Sequence, residues 1–140
     1  MSLIEKYSHN EEGYNPFLIR EGWQVAQLNY AEEQNIENIT KIDVHYKTDE
    51  VFILLSGEAV LISATLQNDI PLFNTEFMQH GIVYNIPKNL WHNIAMREGS
   101  QVIIVEKSDT HLGDFEYFNL NEMQISIMKE KVEKSFDQSQ

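Results

Sequence analysis

Asp43, His45, Glu50 and His92 are the side chains whose types and spacing can do chemistry together. Two imidazoles and a carboxylate form a donor set suited to zinc, manganese, iron or nickel, with positions left open for water or substrate. The chain has no cysteine, so disulfides, thiolate sites and Cys nucleophiles are excluded. A metal must then be held by His nitrogen and carboxylate oxygen. Asp43 and His45 stand two apart, which puts them on one face of a strand. Glu50 follows His45 by five, a spacing that reverses the face on a regular strand, so a bulge or bend is expected at Lys47-Thr48-Asp49. His92 opens a strand after the turn Pro87-Lys88-Asn89-Leu90, where Asn89 takes a left-handed conformation at low cost. Spacing alone leaves two other readings open: unrelated core or surface residues, or a metal-free cluster with Glu50 hydrogen-bonded between histidines.

The elements that must position these residues are short strands. Candidates are Trp23 to Tyr30, Ile36 to Tyr46, Val51 to Leu55, Ala59 to Leu66, Ile82 to Ile86, His92 to Met96 and Val102 to Glu106. Turn residues separate them, among them Ser56-Gly57-Glu58 and Gln67-Asn68-Asp69, and this punctuation predicts a sandwich or barrel. Val51 to Leu55 and Val102 to Val105 are apolar on both faces and call for cover on both sides, from the interior and from a second sheet layer, the C-terminal segment or a partner subunit. From Asn121 the period becomes helical: Met123, Ile127, Met128 and Val132 form a stripe, with Asn121 as N-cap and an end near Phe136. That stripe is expected to pack on the barrel or a partner. The division expected is an N-terminal arm over 1–16, a β-domain over 17–120 and a helix with tail over 121–140. His9, His80 and His111 fall in irregular segments and are expected to be exposed, while Trp91 and Tyr46 point away from the proposed ligands.

The segment from Asp43 through Lys47 and Glu50 to Gly57 resembles the first motif of the cupin superfamily, with His45, Glu50 and Gly57 on its second histidine, glutamate and glycine. The segment Gly81 to His92 resembles the second motif through Gly81, Pro87 and His92. Together with the stretch between them the motifs span residues 43–96, and the sequence is similar to small single-domain bacterial cupins. The resemblance implies an all-β double-stranded β-helix (jelly-roll) barrel with a C-terminal α-helix. It implies His45, Glu50 and His92 as metal ligands; in the alternative, Glu50 leaves the metal and shuttles a proton, an isomerase-like role. Asp43 replaces the first motif histidine, Asn89 the second-motif glycine and Met96 its terminal asparagine. Asp43 is thus a second carboxylate ligand, a residue orienting His45, or a group turned to solvent. Phe52, Leu54, Ile94 and Met96 are expected to line the cavity.

Composition bounds the function. The 140 residues, 42% apolar and 23% charged, fit one globular domain. Ten basic against 22 acidic side chains give a net charge of −12, which opposes nucleic-acid and anionic-membrane partners. Apolar runs fall far short of the roughly 18 residues of a membrane span, and a cytoplasmic protein is expected. The functions expected are a metal-dependent enzyme, isomerase-like or oxygenase-like, on a sugar derivative or organic acid, or a metal-free small-ligand binding protein. A homodimer is the expected assembly.

Overall fold

The computed structural model describes residues 2–138. Ten strands and two helices follow one another: β1 (Gly13–Arg20), β2 (Trp23–Asn29), β3 (Lys41–Val44), β4 (Glu50–Ser56), β5 (Ala59–Gln67), β6 (Ile70–Phe77), β7 (Val83–Ile86), β8 (Trp91–Met96), β9 (Gln101–Glu106), α1 (Thr110–Gly113), β10 (Glu116–Asn119) and α2 (Glu122–Gln138). They form two five-stranded antiparallel sheets, ordered β1-β2-β9-β4-β7 and β10-β3-β8-β5-β6. Among the described residues no helix is long and apolar enough to cross a membrane.

Alternation along the strands builds two cores. Leu28, Phe52, Leu54, Leu61, Ile94, Met96, Val102 and Ile104 face inward and fill the space between the sheets. On β5 the intervening residues Val60, Ile62 and Ala64 face the other way and pack with Phe73 and the α2 residues Met128, Val132 and Phe136. β5 is therefore covered on both faces and reads as an almost continuous apolar run. The helix packs on the protein through a stripe shifted from the expected one, because Met123 and Ile127 are exposed while Phe136 is buried. Its start is capped as expected: Gln124 N–H donates to Asn121 Oδ1 at 2.8 Å, and Asn121 N–H donates to Gln124 Oε1 at 3.0 Å.

Three strands are absent from the sequence reading: β1, which begins inside the expected N-terminal arm, β6 and β10. All three lie at sheet edges. β1 carries a register shift between Asn15 and Leu18 and holds Pro16; β6 alternates in burial, but only Phe73 is fully buried and Pro71 interrupts the run. The strand expected over Ile36 to Tyr46 shortens to Lys41–Val44, because Asn35 accepts a hydrogen bond from Glu37 N–H and caps a 3-10 turn over Ile36–Asn38. On the outer face of the first sheet the segment His9 to Glu11 covers Gln27 and Asn29, whose side-chain amides donate to its carbonyls; farther along, Leu55 and Val83 are exposed and Val51, Ile53, Ile103 and Val105 half-buried.

Candidate metal centre

Two cross-strand pairs make the site. In the second sheet Asp43 of β3 lies directly opposite His92 of β8. In the first sheet Glu50 of β4 lies directly opposite Glu106 of β9. The sheets face each other, so Glu50 meets imidazoles arriving from the far side. The expected bulge at Lys47-Thr48-Asp49 is replaced by a crossover: β3 ends at Val44 and the chain enters the other sheet at Glu50, so strand parity does not apply. Asp114 holds that crossover, its carboxylate accepting from Tyr46 N–H and Lys47 N–H, each at 3.0 Å. Asp49 accepts from Lys88 N–H at 3.0 Å, and Asn89 N–H donates to His45 O at 2.8 Å. Asn89 has φ 73°, the left-handed conformation its turn position calls for.

All four expected residues converge. His92 Nε2 lies 2.8 Å and His45 Nε2 3.2 Å from Glu50 Oε1, and Asp43 Oδ2 lies 3.8 and 3.7 Å from the same two nitrogens. Each imidazole is fixed from behind: His45 Nδ1 donates to Asp114 O at 2.6 Å and His92 Nδ1 to Leu90 O at 2.9 Å. A carbonyl only accepts, so both Nδ1 atoms carry the hydrogen and both Nε2 atoms point inward. That is the tautomer a metal-ligating histidine uses. Asp43, His45 and His92 offer ligand atoms close enough together to share one ion, as do His45, Glu50 and Glu106. The donor set fits a divalent ion.

Charge reinforces the grouping. Burial would lower the His45 imidazole, but its hydrogen bond to Glu50 and the charges of Glu50 and Asp43 raise it to about 9. Burial would raise Glu50, and the hydrogen bonds from His45 and His92 bring it down to about 2. His92 is raised despite its burial, mainly by Glu50, and Asp43 is raised by burial.

The sequence reading missed the other half of the site. Glu106 shares the inward phase of Val102 and Ile104 and is buried, and burial and the Glu50 charge raise it to about 7. Tyr14 OH donates to Glu106 Oε1 at 2.8 Å, and Gln24 Nε2 donates to the same oxygen at 3.2 Å. His111, expected to be exposed, is half-buried on α1 with Nδ1 3.2 Å from Gln24 Nε2. His80 is exposed, and His9 is half-buried with Nε2 3.1 Å from Gly13 O. Trp91 faces away as expected, its ring 6.1 Å from that of Phe118. Tyr46 donates to Glu116 on the surface.

Tyr14, Glu106 and His111 line one cavity of about 670 Å³ with Asp43, His45, Glu50 and His92, walled by Phe52, Ile94 and Ile104 and, towards its mouth, by Phe115 and Tyr117. Leu54 and Met96 do not reach it; they are buried in the core between the sheets.

No protein-family model matches the sequence, and no curated protein matches it. Solved structures do. A nucleoside dehydratase from Streptomyces has TM-score 0.53 at 11% identity over 85% of this chain and 97% of that one. A capsular polysaccharide assembling protein from Staphylococcus aureus has TM-score 0.52 at 21% identity over 81% of this chain, which spans only 31% of that protein. A cupin-2 domain protein from Shewanella frigidimarina has TM-score 0.48 at 20% identity over 71% of this chain and 84% of that one. Likenesses of this size establish fold alone. Two facing antiparallel sheets, both motif segments meeting between them, and the likenesses above TM-score 0.5 give this chain the fold of the cupin superfamily.

Proposed function

We propose that the protein is a divalent-metal-binding cupin that acts on a small polar molecule in the cavity between its sheets. The observation that carries this reading is the pair of imidazoles whose Nδ1–H groups are held by main-chain carbonyls while their Nε2 atoms meet at Glu50. His45, His92 and Glu50 would hold the ion, with Asp43 beside them; zinc, manganese, iron and nickel all suit these donors. When bound, the ion would supply Lewis-acid polarisation of a substrate oxygen. Glu50 is the residue placed to take or return a proton, an isomerase-like role, because its Oε1 lies 2.8 and 3.2 Å from the two Nε2 atoms at the inner end of the cavity. Phe52, Ile94 and Ile104 would keep water from that end of the cavity. The same reading takes the protein to be a cytoplasmic homodimer, supported on the assembly side by the partly exposed apolar face of the first sheet.

One observation favours a second reading, a metal-free ligand-binding protein. Two imidazolium ions carry the same charge as one divalent ion, and in that state each Nε2–H donates to Glu50 directly. Elemental analysis of untagged protein separates the two. Close to one equivalent of metal is expected in the parent and almost none in His92→Ala. A parent that carries no metal and takes up none of the four ions supports the metal-free reading.

A further inference from the structure

We infer that the cavity takes an uncharged or cationic small molecule bearing hydroxyl or amine groups, with one of its hydrogens received by Glu106 Oε2. Carboxylates and phosphates are turned away. This rests on the cavity being the working site, as proposed above, and removes organic acids from its candidate ligands.

The first observation is an oxygen without a donor. Glu106 is only 6% exposed, and among the described residues its Oε2 is the buried side-chain oxygen or nitrogen that has no hydrogen-bond partner. Neighbouring donors are already committed. Tyr14 has one hydroxyl hydrogen, and it goes to Oε1. Gln24 Nε2 is shared among Glu106 Oε1, Tyr14 OH and His111 Nδ1. Buried carboxylate oxygens are rarely left unpaired, so the missing donor is one that arrives with a ligand. Glu106 lines the cavity, which makes that arrival possible.

The second observation is the charge of the walls. Glu32, Glu33, Asp43, Glu50 and Glu106 line the cavity against one lysine, Lys41, whose ammonium lies 3.9 Å over the Tyr117 ring. A divalent ion, or the two imidazolium ions of the metal-free state, would together with Lys41 offset three of those five carboxylates and leave the walls negative. An anion entering such a cavity is desolvated against like charge, whereas a hydroxyl or ammonium group meets acceptors. Phe115 and Tyr117, with ring centroids 5.4 Å apart, offer apolar faces at the mouth to the carbon skeleton of a ring-shaped polyol.

The test is equilibrium binding by protein-observed NMR, with chelator and again with one equivalent of zinc, using four matched probes. D-glucose and D-glucosamine are expected to shift resonances of Tyr14, His111 and Tyr117 at concentrations about tenfold lower than D-gluconate or glucose 6-phosphate. Glu106→Gln replaces the acceptor by an amide, and is expected to weaken the first pair about tenfold and close most of the gap. Glu33→Lys, at an exposed position, is expected to narrow the gap by improving the anions. Anions binding as tightly as the uncharged and cationic probes, no binding by any of the four, or an unchanged ranking in both variants would overturn the inference. Metal content is measured separately: a parent without metal that still ranks the probes in this order sinks the metal reading and leaves this inference standing. A Glu106→Gln variant that loses metal as His92→Ala does, with the ranking intact, makes Glu106 a ligand of the ion instead.

Discussion

His45 and His92 each spend Nδ1–H on a main-chain carbonyl, and the consequence reaches every other group in the cluster. With the tautomer fixed, Nε2 has two choices near Glu50: it carries a second proton or it offers its lone pair to a cation. The loop that holds His45 depends on carboxylates in a simpler way. Asp49 sits on the surface, and the hydrogen bonds from Lys88 N–H and Asn85 Nδ2 hold its carboxyl below its ordinary value. A lowered folded-state value means stability that is present above the unfolded value and lost as pH falls through the folded one. Asp49→Asn is therefore expected to melt below the parent at about pH 7, by a deficit that has shrunk at about pH 2, in chelator, by circular dichroism. Equal melting at both pH values would refute that. Asp43, His45, Glu50 and His92 were legible in the sequence because the two motif segments name a sheet-to-sheet meeting that spacing alone does not. Glu106 was not, although it is in phase with Val102 and Ile104. A lone glutamate ending an apolar strand is also what an ordinary solvent-exposed strand end looks like.

At the scale of elements, the turn after β4 decides how closely the strands can approach. Gly57 has φ 82°, and a Cβ there would lie 2.7 Å from Ser100 Cα and 2.3 Å from Ser100 Oγ. Ser100 cannot move aside, because its Oγ accepts from Glu58 N–H and donates to Glu58 O, each at 2.9 Å. Gly57→Ala is expected to cost about 2–4 kcal/mol by urea unfolding, from the disfavoured φ and the overlap with backbone. A loss below about 0.5 kcal/mol, the size of an ordinary surface change, would show that the β4–β5 turn relaxes. The motif glycine was thus readable as a requirement, though its reason, the approach of Ser100 from the β8–β9 turn, is a long-range contact no local pattern records. The interior strands were legible because alternation marks both their faces. β1, β6 and β10 were not, although the edge strand β7 was: Pro16 and Pro71 interrupt β1 and β6, and β10 offers only Tyr117 and Phe118 as apolar residues.

The whole molecule is asymmetric in how its sheets are covered. α2 lies on the outer face of the second sheet and buries Met128, Val132 and Phe136 there. Among the described residues the first sheet has no helix on its outer face, only the segment His9 to Glu11 over Gln27 and Asn29 at its β2 end. Cross-strand register puts Val83, Ile53 and Ile103 in one row across it, and Val51, Val105 and Val25 in the next. Rows of branched apolar side chains on a sheet face are what a second layer packs against, and a contiguous exposed patch of this kind marks an interaction surface. On the homodimer reading proposed above, the occupant is a second copy, because one face meeting itself about a two-fold axis satisfies both chains at once. The net charge of −12 does not oppose it, since the patch rows carry no charged side chain. Light scattering is expected to give a dimer for the parent and a monomer for Val51→Glu, in which association would bury two unpaired carboxylates. Because Val51 points away from the cavity, the monomeric variant should keep the metal content of the parent. A monomeric parent would overturn the assembly, and a Val51→Glu dimer would move the interface to another face.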